Sequence, residues 1–236
     1  MLVLVVVCAI ARVSSNAQVS SSPAQTPSSV PEITAAPEAT VQPRPTWFSP
    51  DKKWEYRSSG DNAKIVKAGT DQVVLDFSDE SYFGCDEATL SWAPDSKRFA
   101  LNYGRGRNHL TALYQLAGDQ WKALKSPEDE ALQRADDIIA GQLKSQGLSE
   151  KKLENQGKYL RLIWWTVKVD RWLDSNTAIV YASLQQVAAR RDAPGEMDDG
   201  YGTDLLFTLR FDDAGKWKIV KTHRMSEKEV EQKAKE

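Results

Sequence analysis

Short apolar runs alternate with turn-forming residues through the central part of the chain. Three runs of strand length and the two turn clusters between them follow one another: runs 98–103, 110–116 and 120–124, with turns at 104–108 and 118–119. Short apolar runs bounded by Gly, Asn or Asp are typical of β-strands. The pattern therefore predicts a small antiparallel meander in a chain that is mainly β.

A tight turn opens this meander. Pro94 presets the backbone φ angle for a turn, and the side chains of Asp95 and Ser96 can accept hydrogen bonds from nearby backbone N–H groups. Trp92 and Phe99 lie on either side of the turn, and we expect them to pack against each other. Trp92 is predicted to be a core residue.

The same plan occurs earlier in the chain, where Trp47, Pro50 and Asp51 precede Trp54. The two Pro-Asp turns are 44 residues apart, and a period in the forties is typical of one four-stranded propeller blade. Short apolar runs follow the first turn at 64–68 and 73–77. We interpret the two stretches as an internal repeat.

A third, degenerate copy is expected to begin at 169–175. Apolar runs follow it at 177–187, 204–211 and 216–222, and the last two are separated by a short turn that contains Gly215. That spacing is typical of a β-hairpin. The sequence therefore predicts blade-like antiparallel sheets over residues 46–225, arranged as a partial or degenerate β-propeller.

The second copy, and more loosely the first, resembles the repeat of the exported TolB-type β-propellers, whose blades open with Trp-Ser-Pro-Asp-Gly-Lys before a strand. The matching positions are Trp92, Pro94, Asp95, Lys97, Arg98, Phe99 and Ala100, and then Trp47, Ser49, Pro50, Asp51 and Lys53. The match covers about 80 residues, and the turn glycine is replaced by Ser96 and Lys52. The resemblance implies an envelope-facing scaffold that binds proteins, with no catalytic residues to carry over.

An insertion of helical character separates the second and third copies. Ser126 and Pro127 form a helix start, and an apolar stripe follows at helical spacing: Leu132, Ala135, Ile139 and Leu143. A second, shorter helix is predicted from Ser149 to Gln156. The next run, 159–169, is apolar on both alternating faces, so we expect the two-helix insertion, 126–156, to cover it. The C-terminal residues 226–236 form a charged, helix-prone tail.

The N-terminal residues have the composition of an export signal. The apolar run at 2–11 is too short to span a bilayer, and Ser15-Asn16-Ala17 has the form of a small-x-Ala cleavage site. We expect residues 1–17 to be a signal peptide, and the mature chain to be periplasmic or secreted and to lack a membrane span. A buried N-terminal strand and a lipoprotein site at Cys8 are the alternatives.

A linker is predicted between this signal and the β domain. Residues 18–45 contain six prolines and no aromatic residue. Such a segment cannot bury enough apolar surface to offset the entropy lost on ordering it. We therefore expect 18–45 to be disordered.

The charges and cysteines of the chain exclude some classes of function. The 236 residues include 31 basic and 33 acidic ones, spread along the chain, for a net charge of −2. Without a basic field, nucleic acid is not an expected partner. Cleavage after Ala17 would leave Cys85 as the one cysteine, so no internal disulfide is predicted.

No residue has the context of a catalytic, cofactor-binding or metal-binding group. His109 and His223 have no second ligand at metal spacing, and Cys85 lies beside two acids, which disfavour a reactive thiolate. The basic segment 104–108 lacks the helix start of a phosphate site. An acidic connection at 190–202 is predicted to be a mobile loop, with these carboxylates: Asp192, Glu196, Asp198 and Asp199.

Two functions remain from the sequence. The leading hypothesis is an exported, non-catalytic scaffold or protein-binding domain of the cell envelope. The alternative is a small envelope enzyme or carbohydrate-binding module that uses loop carboxylates and Trp rings. Five of the eight Trp fall at strand positions where core packing is the expected role: Trp54, Trp92, Trp121, Trp165 and Trp217.

Overall fold

The computed structural model describes residues 47–59, 62–77, 87–106, 108–193, 195 and 197–235. The predicted signal peptide, 1–17, the predicted linker, 18–45, and Cys85 lie outside these residues. Within the described part, no helix is long and apolar enough to cross a membrane.

The described residues form a mainly β fold, as predicted, with 55% of them in strands, and they include three helices and antiparallel sheets. In chain order the elements are β1 (Trp47–Phe48), β2 (Trp54–Ser59), β3 (Asn62–Lys67), β4 (Val73–Asp76), β5 (Glu87–Trp92), β6 (Arg98–Arg105), β7 (Asn108–Ala117), β8 (Gln120–Ala123), α1 (Glu128–Ser145), α2 (Glu150–Asn155), β9 (Lys158–Asp174), β10 (Thr177–Arg190), β11 (Met197–Phe211), β12 (Trp217–Arg224) and α3 (Glu227–Lys233).

The strands form two open sheets. Strands β1 to β4 pair in chain order in the first sheet. The second sheet has the order β12-β11-β10-β9-β7-β6-β5, and β8 pairs with β7. A parallel bridge between His109 and Thr166 joins β7 to β9. The chain thus contains three successive antiparallel units, which we name the first meander (β1–β4), the middle meander (β5–β8) and the last meander (β9–β12).

The three apolar runs correctly predicted β6, β7 and β8 of the middle meander, and no run predicted β5. The turn between β6 and β7 is narrower than the predicted 104–108, because the two strands stay paired as far as Arg105 opposite Asn108. Gly106 lies in this turn with a φ of 60°, a backbone conformation that glycine adopts at little cost.

The middle meander is covered on both faces. Phe99 and Leu101 of β6 lie in a core shared with the first meander, whereas Ala100, between them, lies in a core shared with the last meander and α1. This division follows from the alternation of side chains along a strand. The middle meander is therefore the central layer of the described domain.

The core between the first two meanders is aromatic. The Phe99 ring is fully buried, and its centroid lies 4.9 Å from those of Trp92, Tyr114 and Trp121. The predicted packing of Trp92 on Phe99 is thus confirmed, although Trp92 is half-buried rather than fully enclosed. Burying a Phe side chain contributes roughly 1.5–3 kcal/mol, and aromatic pairs add about 0.5–1.5 kcal/mol each.

Strand β9 runs across the middle meander and is tied to it by side chains. The amide of Asn102 on β6 bonds both backbone groups of Val169, with distances of 2.9 Å to the oxygen and 2.9 Å from the nitrogen. Further along β9, the Trp172 Nε1–H donates to the Ser91 oxygen of β5 at 3.1 Å. These bonds satisfy polar groups at the junction of the two meanders, where burial without partners would be costly.

The helical insertion covers the last meander. The predicted stripe is buried at Ala135, Ile139 and Leu143, and Ala131 rather than Leu132 completes it. Helix α1 packs against β10 and β11, and α2 packs against β9, with Leu153 buried in the shared core. The two helices were predicted correctly, and α1 lies over the centre of the meander rather than over β9 alone.

The charged C-terminal tail forms α3. Ser226 and Glu229 make a reciprocal capping box at its start, and Lys233 forms an ion pair with Asp170 of β9. No residue of α3 is buried. The helix is therefore held to the domain mainly by polar contacts.

Candidate functional site

The two Pro-Asp turns, which the sequence singled out, have the same hydrogen-bonding pattern. The matching backbone bonds run from Ser49 N to Trp54 O (2.9 Å) and Lys52 N to Ser49 O (2.8 Å), and from Ala93 N to Arg98 O (2.9 Å) and Ser96 N to Ala93 O (3.0 Å). Asp51 accepts from the Lys53 N–H at 3.1 Å, and Asp95 from the Lys97 N–H at 3.0 Å. The repeated residues therefore build one turn twice, and Trp47, whose side chain is not described, precedes the first copy in β1.

Both turns place a non-glycine residue in the left-handed region. The φ angles are 58° at Lys52 and 60° at Ser96, the two positions at which the TolB-type repeat has glycine. This conformation costs an L-residue roughly 1–2 kcal/mol. The turn geometry is thus kept although the glycine is absent.

Ser96 uses its side chain to join the two turns. Its Oγ accepts a hydrogen bond from the Asp51 N–H at 2.9 Å. Partial burial raises the pKa of Asp51, but hydrogen bonds from Ser49, Lys53 and Ser96 outweigh that effect and lower the pKa below its usual value. These groups therefore stabilise the contact between the first and middle meanders, which is a structural role.

Arg98 joins the middle meander to the last one. Arg98 is buried, with 5% of the residue exposed. Its guanidinium donates hydrogen bonds to four acceptors: Gln115 Oε1 (2.8 Å), Ser175 O (2.9 Å), Asn176 Oδ1 (2.7 Å) and Asp212 O (2.9 Å). The guanidinium also lies 5.6 Å from the centre of the Phe211 ring. From the sequence alone, Arg98 was only a repeat position, because its partners lie up to 114 residues away.

The tryptophans whose side chains the structure describes are buried or half-buried. Trp54, Trp92 and Trp121 lie in or against the aromatic core, and Trp165, Trp172 and Trp217 pack against the other core. A platform for stacking sugars requires exposed rings. The arrangement supports the core role that the strand positions predicted.

The predicted acidic loop is shorter than 190–202. Asp198 and Asp199 lie in β11, so their placement in a mobile connection was wrong. The pairing of β10 with β11 holds that segment extended as far as Met197 opposite Ala189. Asp192 is bound by Arg190 through two hydrogen bonds, which lower its pKa, and Glu196 is outside the described residues.

Neither histidine lies in a cluster of metal ligands. His109 packs closely against Gly104. A Cβ atom placed on Gly104 would lie 2.4 Å from the imidazole ring, so this position requires glycine. His223 lies 2.9 Å from Glu229. Throughout the described ranges, no group of three His, Cys, Asp or Glu side chains is placed to hold a metal ion.

An open cleft of about 510 Å³ lies between the helical insertion and the start of β9. Its apolar lining is Ile139, Ala140, Leu143, Leu148 and Leu160, and its polar lining is Asp136, Lys144, Ser149, Glu150, Lys151 and Gln186. This cleft could not be found from the sequence, because its walls are separated in the chain and its apolar residues have the spacing of an ordinary helix core.

Strand β12 forms one edge of the second sheet. It pairs with β11 on one side, and no described strand pairs with it on the other. The segment 216–224 contains Lys216, Lys218, Lys221, His223 and Arg224 and no acidic residue. Val220 is 48% exposed, at an irregularity in the pairing with β11. The edge is thus basic, extended and accessible.

Comparison with known proteins adds no assignment, because the chain matches no protein-family model and no curated protein.

Proposed function

We propose that this protein is an exported, non-catalytic scaffold or protein-binding domain of the cell envelope, built as a partial β-propeller of three blade-like units. Each meander has four strands in chain order, and each begins with a strand that leads into a tight hairpin. The equal hydrogen bonding of the two Pro-Asp turns supports the reading of the first two meanders as repeats.

The turn of the last meander supports the third unit. Asp174 accepts from the Asn176 N–H at 2.7 Å, and this bond lowers the Asp174 pKa. Asp51 and Asp95 make the same bond to the N–H two residues later. The third turn lacks the proline but retains the aspartate and its bonding.

The observation that carries the binding function is the basic edge of β12. A sheet edge offers unpaired backbone donors and acceptors, and an extended partner segment can add to it as a further strand. The cationic side chains of β12 favour an acidic segment. Lysines on an edge also oppose unselective pairing, so an acidic partner would be selected over an apolar one.

Two of the groups that the sequence offered as candidates for chemistry have partners within the domain. Asp192 accepts hydrogen bonds from Arg190, and His223 lies against Glu229. Two carboxylates, Asp136 and Glu150, line the cleft, but both residues are exposed. A glycosidase acid requires surroundings that keep it protonated, usually apolar ones, so this arrangement supports binding over the enzyme alternative.

Capture of a partner from envelope extract tests this proposal. The bait is residues 18–236, with Lys221→Glu/Arg224→Glu as the edge variant and Lys97→Glu/Lys122→Glu as the control, since all four side chains are exposed. We expect a partner with an acidic segment, recovered at least tenfold less by the edge variant and equally by the control. A partner that both double variants retain equally would contradict binding at β12, and sugar hydrolysis by the bait would favour the alternative.

A further inference from the structure

Two lysines of β12 lie on the same face of the sheet because of a bulge. Lys218 pairs with Arg210 of β11, and Lys221 pairs with Thr208. Thr208 and Arg210 are two residues apart, so their side chains share a face, and the side chains of their partners share it too. Strict alternation would place two lysines three residues apart on opposite faces. Val220, which has no partner in the pairing register, is the extra residue that brings them together. We name Lys218 and Lys221 the cationic row.

The opposite face of β12 is apolar near the hairpin. Trp217 pairs with Phe211 and Ile219 pairs with Leu209, and both of these β11 residues are buried. Trp217 and Ile219 are themselves half-buried, at the margin of the core that α1 covers. The Trp217 Nε1–H donates to the Lys125 oxygen at 2.8 Å, which holds the ring in place. We name Trp217 and Ile219 the apolar row.

The hairpin that carries the two rows has an excess of positive charge. Residues 208–221 include four basic and two acidic side chains, which leaves two positive charges. Both acids lie in the turn, and Asp212 accepts a hydrogen bond from a backbone N–H of that turn at 2.8 Å. Arg210 interacts electrostatically with Asp174, whereas Lys218 and Lys221 form no ion pair with any residue that the structure describes. The cationic row is therefore available to an acidic partner.

An open cleft beside this hairpin leaves room for an acidic side chain. Its volume is about 340 Å³, and it has the following lining: Arg210, Phe211, Asp212, Lys216, Trp217 and Lys218. Three of these residues are basic and one is acidic, so the local field favours a carboxylate next to the cationic row.

The backbone of β12 determines how a partner strand would pair with it. The Met225 N–H donates to the Asp204 oxygen at 2.9 Å, and the Asp212 N–H donates to the Lys216 oxygen at 2.8 Å, so both ends of the β11–β12 pairing are fixed. Hydrogen-bonded and non-hydrogen-bonded pairs alternate along an antiparallel ladder. Counted from each end to the bulge, the cationic row bonds to β11, and the apolar row directs its N–H and C=O groups to the free edge. An antiparallel partner would thus face the cationic row in non-hydrogen-bonded pairs, in which side chains are closest.

We infer that the segment bound by β12 alternates acidic and apolar residues. Its acidic side chains lie opposite Lys218 and Lys221, and its apolar side chains lie beside Trp217 and Ile219, where they extend the core. Opposite charges on neighbouring strands stabilise their pairing, and alternation is typical of a strand with one face on a core and one in water. This inference rests on the proposed protein-binding function and adds the side-chain pattern of the partner.

Two peptides of equal composition test the inference on ¹⁵N-labelled residues 18–236. Acetyl-Thr-Val-Glu-Val-Glu-Val-Thr-amide has the alternating pattern, and acetyl-Thr-Glu-Glu-Val-Val-Val-Thr-amide has the same residues in blocks. We expect saturable shifts of the Ile219 and Thr222 amides with the alternating peptide, and at least fivefold weaker binding of the block peptide. Equal binding of the two peptides at β12 would overturn the alternating pattern and leave the proposed function standing. Absence of shifts in β12 with either peptide would contradict recognition at this edge altogether.

Two variants of equal charge localise the recognition to one face. Lys221→Gln and Arg224→Gln each remove one positive charge from an exposed side chain of β12, but Arg224 pairs with the buried Leu205 and lies on the face opposite the cationic row. We expect Lys221→Gln to weaken the alternating peptide by about threefold and Arg224→Gln to change its affinity by less than 1.5-fold. Equal effects of the two variants, whether large or small, would overturn the inference, because the cationic row would then have no special part in binding.

Discussion

The middle and last meanders have the same strand order but bury their faces by different means. The middle meander packs its aromatic rings against the first meander, with Phe77, Phe99 and Tyr114 in mutual contact. The last meander packs small residues against its helix, where Ala178 and Ala182 of β10 lie in one core with Ala131 and Ala135 of α1. Rings of this meander, such as Phe207 and Phe211, also lie in that core. Small side chains let a helix approach a sheet closely, whereas two sheets packed face to face leave room for rings.

This difference explains why the repeat is clear in the turns and weak elsewhere. A hairpin turn depends on a few backbone conformations, so its residues recur where the fold recurs. A core depends on whatever element covers it. The core of the last meander differs from that of the middle one because its cover is α1 and not another meander.

The largest expected effect comes from a charge placed between α1 and the last meander. Ile139 is 1% exposed in that core, so Ile139→Asp both removes a buried side chain and buries a carboxylate. We expect it to lower the free energy of unfolding by about 4 kcal/mol or more, as measured by urea denaturation.

Gln133→Asp is the control for this change, because Gln133 is exposed on the same helix. It should alter stability by about 0.5 kcal/mol or less. Equal stability of the two variants would mean that α1 does not cover the last meander.

Removal of the buried Arg98 side chain should have the next largest effect. Arg98→Met deletes the hydrogen bond to Gln115 within the middle meander and three hydrogen bonds that join the middle and last meanders. The acceptors of these four bonds are left without their donor. We expect a loss of about 2–4 kcal/mol, whereas Lys97→Met, at the exposed neighbouring position, should cost about 0.5 kcal/mol or less. Urea denaturation of the two variants measures these losses of unfolding free energy. Similar losses in the two would show that the Arg98 hydrogen bonds do not hold the meanders together.

Glycine substitutions should distinguish the two Pro-Asp turns. Lys52→Gly relieves a left-handed residue whose side chain is exposed, and we expect a gain of up to about 1 kcal/mol. Ser96→Gly relieves the same strain but loses the hydrogen bond from Asp51, so it should be neutral or destabilising. Thermal unfolding of both variants measures the difference, and an equal gain in both would mean that Ser96 does not link the turns.

The smallest effect is expected at α3 in acid. Backbone and side-chain hydrogen bonds from Ser226, together with His223, lower the pKa of Glu229 to about 2. Because the folded pKa is lowered, the carboxylate stabilises α3 above the usual pKa of about 4.3, and this contribution is lost as the pH falls towards about 2. A carbon-detected NMR titration should show that low value, and Ser226→Ala should raise it. A wild-type Glu229 with the usual pKa would contradict the proposal that this carboxylate stabilises α3.

The sequence correctly predicted the features that depend on interactions between residues close together in the chain. Strands β6 to β8, the two Pro-Asp turns and the buried stripe of α1 follow from alternation, turn residues and helical spacing, which act within a few residues. The contacts of Arg98 with Asp212 and of Asn102 with Val169 could not be predicted in this way, because they depend on how distant segments pack.

The prediction of a loop for the acidic segment of β11 was wrong for the same reason. Gly200 and Gly202 gave it the composition of a loop, but pairing with Val187 and Gln185 of β10 holds it extended. The cleft and the basic edge of β12 are also properties of packing. The residues proposed to bind ligands were therefore found from the structure.

Hydrogen exchange of β12 in the presence of the captured partner tests the central claim most directly. Without the partner, the amides of 218–224 that do not pair with β11 should exchange rapidly, since that side of β12 has no described strand partner. With the partner, we predict that their exchange slows at least tenfold, while the two Pro-Asp turns are unchanged. Unchanged exchange in β12, with protection confined to other parts of the domain, would contradict recognition at this edge.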